Sequence, residues 1–229
     1  MTEVTRNKLS NLPVVVRLII GVLVFGSIWG LLEVAMGGGL QVAKFPYRAG
    51  LLTGIGIAIM GIALAIYKQP TMLIGIGLGT VLVKLLAVPI LHISVMCKAN
   101  SCIAVFTEAV VLSLVAFLLM SEMSKSVHAR MGAGALAAIV ASVGFYFIGM
   151  QVAPCKYLLS FTPGRFIVTE GLIWAAFSAI FLPVGYLAGE KLAAITPPVL
   201  TRWPIYYTVS ASIVLLCWGV SALAIMAGL

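Results

Sequence analysis

The chain has 229 residues, 62% of them apolar and 9% charged, with a mean hydropathy of +1.20. Soluble domains are about 45–50% apolar and about 25% charged, so a water-soluble enzyme, a secreted disulfide scaffold and a disordered tail are excluded. The net charge of +8 comes from 14 Lys and Arg against 6 acidic residues. These basic residues stand singly between apolar runs, as topology determinants and not as a nucleic-acid footprint.

A bilayer core about 30 Å thick is crossed by roughly 20 apolar residues in helical conformation. In chain order the apolar runs are Val14–Met36, Ala49–Ile66, Met72–Ile93, Ile103–Met120, Gly132–Ala153, Phe166–Ala188 and Tyr206–Met226. Backbone groups cannot stay unpaired in hydrocarbon, and runs this long without alternation predict helices. The expected fold is an all-α, polytopic membrane bundle forming a single transmembrane domain over residues 1–229. The first run is too long for a signal-peptide core and is kept as an uncleaved span.

Eight basic residues fall on the amino-terminal side of the membrane (Arg6, Lys8, Arg17, Lys68, Lys125, Arg130, Lys191, Arg202). Five fall on the other: Lys44, Arg48, Lys98, Lys156 and Arg165. The positive-inside rule then predicts a multi-pass protein of the cell (cytoplasmic) membrane with its N-terminus in the cytoplasm.

Intramembrane charge carries the strongest functional signal, because a charged side chain at a span centre costs at least about 2.5–3.5 kcal/mol on insertion scales. Glu33, Glu108 and Glu170 all fall near the outer ends of their spans, roughly 5–9 Å deep at 1.5 Å per residue, and Lys84 is about 12–15 Å deep. Together they predict one polar cavity opening outward, with Glu108 the expected partner of Lys84. His92, just after Pro89, is either a ligand or a hydrogen-bonded cap. Phe45, Tyr47, Arg48, Tyr157 and Arg165 either close over a ligand or serve as interfacial anchors.

Two outer hairpins look like diverged copies. Cys97-Lys98 precedes Thr107-Glu108, and Cys155-Lys156 precedes Thr169-Glu170. Related turns on one face make Cys97–Cys155 the first disulfide to expect, Cys97–Cys102 the local alternative, and free thiols the remaining reading. No metal site is expected, since the spacing of Cys and His fits no zinc pattern. Small-xxx-small pairs at Gly26/Gly30, Gly50/Gly54 and Gly75/Gly79 predict close helix contacts within or between chains. No phosphate loop, nucleophile motif or metalloprotease helix is present, so neither an enzyme nor a bound cofactor is expected.

Four segments carry a family resemblance: Gly26-Ser-Ile-Trp-Gly-Leu-Leu-Glu33, Phe45-Pro-Tyr-Arg-Ala-Gly-Leu-Leu-Thr-Gly-Ile-Gly-Ile-Ala-Ile-Met60, Val83-Lys-Leu-Leu86 and Ala104-Val-Phe-Thr-Glu-Ala109. In these the chain resembles the membrane-embedded substrate-binding (S) components of energy-coupling-factor transporters and uncharacterised relatives of them. The resemblance implies a six-helix core, here followed by a seventh span, that binds a small nutrient from outside. It also implies that Gly26 and Gly30 touch a transmembrane coupling subunit and that ATPase subunits drive the cycle. The expected function is therefore small-molecule capture for import, with Glu33, Arg48, Lys84, His92, Glu108 and Glu170 as ligand-binding candidates. The alternative is a non-catalytic scaffold subunit of a larger respiratory or redox membrane complex. A thiol-disulfide membrane oxidoreductase is a third class, which lacks the Cys-x-x-Cys it would need.

Overall fold

The computed structural model describes residues 14–195 and 203–229. Among them are ten α-helices and one π-helical turn, and no strand. They run as α1 (Val14–Val42), α2 (Arg48–Tyr67), α3 (Met72–Leu85), α4 (Ala87–Leu91), α5 (Met96–Lys125), α6 (Val127–Val152), α7 (Lys156–Leu159), α8 (Pro163–Phe166), the π turn (Ile167–Gly171), α9 (Leu172–Ile195) and α10 (Trp203–Met226). Seven helical segments are long and apolar enough to cross a membrane. The chain is a polytopic helical membrane bundle. Arg6, Lys8 and Arg202, which enter the topology count, lie outside the described residues.

The helices outrun the apolar stretches. α1 continues past Met36 through Gly37–Gly39 to Val42, and α5 begins seven residues before Ile103 and ends five after Met120. Polar residues at span ends remain helical because backbone hydrogen bonding does not stop where hydropathy does. The third span behaves oppositely. Expected as one run over Met72–Ile93, it breaks between α3 and α4, since Pro89 has no N–H to donate to the Leu85 carbonyl.

Consecutive long helices alternate in direction. α1, α3, α5, α6 and α9 form a ring that α2 closes between α9 and α1, and α2 also touches α5 and α3. α10 packs outside this ring, mainly on α1 and α4, giving a six-helix core with a peripheral seventh helix. One end of the bundle gathers the C-terminus of α1, the N-termini of α2 and α5, and α7. The opposite end is closed by Tyr186, whose ring is fully buried beneath the Arg130 guanidinium, 4.1 Å from its centroid, while Lys68 donates a 2.6 Å hydrogen bond to its hydroxyl. Arg130, read from sequence as a topology charge, is only 5% exposed. Its Nε donates to the Met123 carbonyl at 2.6 Å and its Nη2 pairs with Glu190 at 3.5 Å.

Apolar helices in lipid gain little by burying more apolar surface, so close backbone approach has to hold them together. A Cβ at Gly26 would stand 2.9 Å from the Ile76 carbonyl oxygen, and one at Gly30 would stand 2.5 Å from Val83 Cβ. The small-residue face of α1 is thus filled by α3. This corrects the expectation that Gly26 and Gly30 meet a coupling subunit: α3 already occupies the space.

The same constraint is sharpest between α9 and α2, where a Cβ at Gly185 would run into the Ala58 carbonyl. With backbone on both sides, neither partner can rotate away. Gly185→Val should lower stability by about 1–3 kcal/mol, read as an earlier thermal melt in detergent. Gly219→Ala, on an α10 face with nothing within 4 Å, should raise stability by about 0.5–1 kcal/mol. Equal melting of the two variants would show that the α2–α9 contact is not tight.

Candidate functional site

A cavity of about 310 Å³ opens between the helices at the end where α1 stops and α2 starts. Its lining includes Glu33 and Gln41 of α1, Arg48 and Thr53 of α2, Lys84 of α3, Lys98, Asn100 and Glu108 of α5, Phe145 of α6, Tyr157 of α7 and Trp174 of α9. Every helix of the core contributes. Four of the six ligand-binding candidates, Glu33, Arg48, Lys84 and Glu108, meet here.

At the floor, Lys84 Nζ lies 2.5 Å from Glu33 Oε2, with both side chains about nine-tenths buried or more. The other Glu33 oxygen accepts a 3.3 Å hydrogen bond from Trp29 Nε1. Trp29 itself is fully buried, and its indole lies flat on α2 because position 56 is glycine; a Cβ there would be 2.5 Å from the ring. The expectation that Lys84 pairs with Glu108 is therefore corrected. Glu33 holds the lysine, since α1 and α3 are joined along their glycine faces and bring Glu33 and Lys84 opposite one another.

Glu108, 3% exposed, instead accepts a 2.8 Å hydrogen bond from Thr53 Oγ1 on its Oε1. Its Oε2 has no partner. Asn100 behaves similarly: its Nδ2 donates to the Ala153 carbonyl at 2.7 Å while its Oδ1 is unpaired. Trp174 Nε1 is a buried donor with no acceptor. Of the five such atoms among the described residues, three belong to this cavity's lining. Buried polar groups are nearly always satisfied, so their concentration here marks a place where something else supplies the partners.

Two candidates fall outside. His92 is exposed and closes α4 in the left-handed conformation (φ 53°), its N–H donating to the Val88 carbonyl. It is a backbone cap, a role open to histidine when a proline-shortened helix must end abruptly. Glu170 does not line the cavity. It sits in the π turn, whose extra residue per turn changes the direction in which its side chains leave the helix. Partial burial, with the Glu170 carboxylate beside it, pushes the Tyr157 phenol above its ordinary range, so Tyr157 meets the cavity as a protonated hydroxyl.

Thr107 donates to the Ile103 carbonyl and Thr169 to the Arg165 carbonyl, each 2.8 Å away and four residues back, a bond that Thr80 and Thr208 also make outside the two hairpins. The cysteines do not pair as related turns would allow. All four thiols are free, so the expected Cys97–Cys155 link is absent. Asn100, one helical turn beyond Cys97, is the residue that reaches the segment ahead of Cys155, and Cys97 is left exposed. Among the described residues no cluster of His, Cys or Glu is placed to hold a metal ion.

Sequence reasoning passed over Thr53, Asn100, Ser101 and Trp174 as site residues. Thr53 and Trp174 are uncharged in apolar runs, and Asn100 and Ser101 precede the expected fourth span, so only the observed helices and their rotation reveal which way each faces. The fold and site define a membrane protein with a polar pocket buried among its helices. No family model, curated protein or solved structure matches the chain.

Removing one member of a buried ion pair typically costs about 3–5 kcal/mol, because the other is left uncompensated. Lys84→Met should destabilise by that amount in a detergent melt, Lys84→Met with Glu33→Gln should recover most of it, and Lys84→Met with Glu108→Gln should not. Recovery by the Glu108 double variant alone would place the lysine on the wrong carboxylate. Thiol mapping without reductant should find no link, with Cys97 alkylated in the folded protein and Cys217, 7% exposed, only after unfolding. Protection of Cys97 and Cys155 together would restore the disulfide.

Proposed function

We propose that the protein is the membrane-embedded substrate-binding subunit of a small-molecule importer, similar to the S components of energy-coupling-factor transporters. The single observation that supports this reading best is the cavity: open at one end of the bundle, floored by a buried ion pair, and lined by polar atoms without partners. Tyr186 and Arg130 close the opposite end. That is the form of a receptor loaded from one side and unloaded by a change of conformation. A scaffold subunit gains nothing from an open pocket of unpaired polar groups, each of which costs about 1–3 kcal/mol when left unsatisfied.

In this reading the open end faces outward, the N-terminus is cytoplasmic and the bundle lies in the cell membrane. A transmembrane coupling subunit and ATPase subunits supply the energy, docking on a face other than Gly26 and Gly30. Glu33, Lys84, Glu108, Thr53, Asn100 and Arg48 contact the ligand or hold the groups that do.

Sidedness is read from Cys97, which is exposed at the open end. A membrane-impermeant maleimide should label it in intact cells, whereas a cysteine placed at Ser124 in a Cys97→Ser background should react only after permeabilisation. The reverse pattern would turn the cavity to the cytoplasm and remove the capture role.

A further inference from the structure

The charges around the cavity do not cancel. Lys84 and Glu33 neutralise one another at 2.5 Å, which leaves Arg48 and Lys98 against the single carboxylate of Glu108. Among the described residues neither the Arg48 nor the Lys98 side chain enters a hydrogen bond or an ion pair. Arg48 is the first residue of α2 and Lys98 the third of α5; the start of α2 has no side-chain cap, while the Met96 N–H at the start of α5 donates to Ser94 Oγ at 3.3 Å. The positive end of the α2 dipole therefore adds to the Arg48 charge, whereas the first amides of α5 already have acceptors in Ser94 and Val95. Glu108 lies ten residues beyond Lys98 on the same helix, which is about 15 Å along its axis. A ligand that engages both has to match that span.

The cavity thus has a cationic pole at the mouth and an acceptor pole, Glu108 Oε2, at depth. The lining also includes Phe145 and Trp174, whose ring centroids are 5.7 Å apart. At about 310 Å³ it is at the small end of ligand pockets.

We infer that the ligand is a small organic anion of two poles. Its acidic group is held at the mouth by Arg48 and Lys98, its body lies against Phe145 and Trp174, and an N–H or O–H group at its far end donates to Glu108 Oε2. The inference rests on the capture role proposed above and gives that role its substrate class. Of the three intramembrane acids, Glu33 is consumed by Lys84 and Glu170 is outside the lining, so one carboxylate remains.

The test uses the full chain in lipid nanodiscs and yeast extract as the probe mixture. The extract is split on anion-exchange resin at about pH 10, where acids are ionised and retained while neutral and cationic molecules pass through. Native mass spectrometry then reads bound small molecules after incubation with each fraction. A bound mass from the retained fraction is expected on the wild type. With both Arg48→Gln and Lys98→Gln it should need roughly 100-fold more extract for equal occupancy, as two charge-assisted hydrogen bonds are lost. Both positions are unpaired and partly exposed, so the double variant should melt as the wild type does; if it does not fold, the single Arg48→Gln variant is read in its place. Binding from the unretained fraction, or binding indifferent to these substitutions, would overturn the anion assignment and leave capture standing. Binding from neither fraction would remove capture, and the anion with it.

Discussion

The pairing of Lys84 with Glu33 is the constraint from which the rest of the structure follows. Two charges inside an apolar bundle are tolerated only together, and holding them together fixes the rotation of α1 against α3. Once that rotation is set, Gly26 and Gly30 face α3, Thr80 reaches the Gly26 carbonyl at 3.1 Å, and Trp29 is turned so that its Nε1 meets the second oxygen of Glu33. A hydrophobic replacement of such a pair is often no less stable. The pair is therefore poorly explained by stability alone and better explained by what it borders.

It borders a carboxylate that was not given a counter-ion. Glu108 has Thr53 and nothing else, although Lys84 opens onto the same cavity. Had Glu108 taken the lysine, both acids of the cavity would compete for one cation and no acceptor would be left. With Glu33 saturated by Lys84 and Trp29, the polar capacity that remains is concentrated on Glu108 Oε2, Asn100 Oδ1 and Trp174 Nε1. An acceptor and a donor at depth, with a second acceptor near the mouth beside two free cations, describe a recognition surface with a definite polarity.

Depth was legible in the sequence, and direction was not. A lysine or glutamate inside an apolar run announces itself, and counting residues from the span end locates it along the membrane normal; that is how Glu33, Lys84 and Glu108 were assembled into one cavity. These helices are apolar on nearly every face, so no periodicity shows which way a given residue points. Glu108 and Glu170 share a depth and a preceding threonine, yet one enters the cavity and the other leaves through a π turn that the sequence does not advertise. The cysteine pairing failed for the same reason, because four extra residues separate Cys155 from Glu170 compared with Cys97 and Glu108. His92 failed for another: a proline three residues earlier had already ended the helix that would have carried it inward.

The seventh helix changes meaning once the cavity is in view. By packing it is peripheral, yet Trp218 Nε1 donates a 2.9 Å hydrogen bond to Ser27 Oγ on α1, and Ile225 and Leu229 join the cavity lining. Leu229 backs onto Gly38, where a Cβ would collide with its backbone, which accounts for the middle one of the three glycines that α1 carries past the expected end of its span. The wall at this point is built from α1 and α4, and α4 is a five-residue remnant left by Pro89, too short to cover the gap to lipid. α10 fills that gap. The proline that shortens the third span, the glycines that extend the first and the added helix that lies over both are one solution to one problem: keeping hydrocarbon out of a polar pocket at the end of a bundle that must still open there.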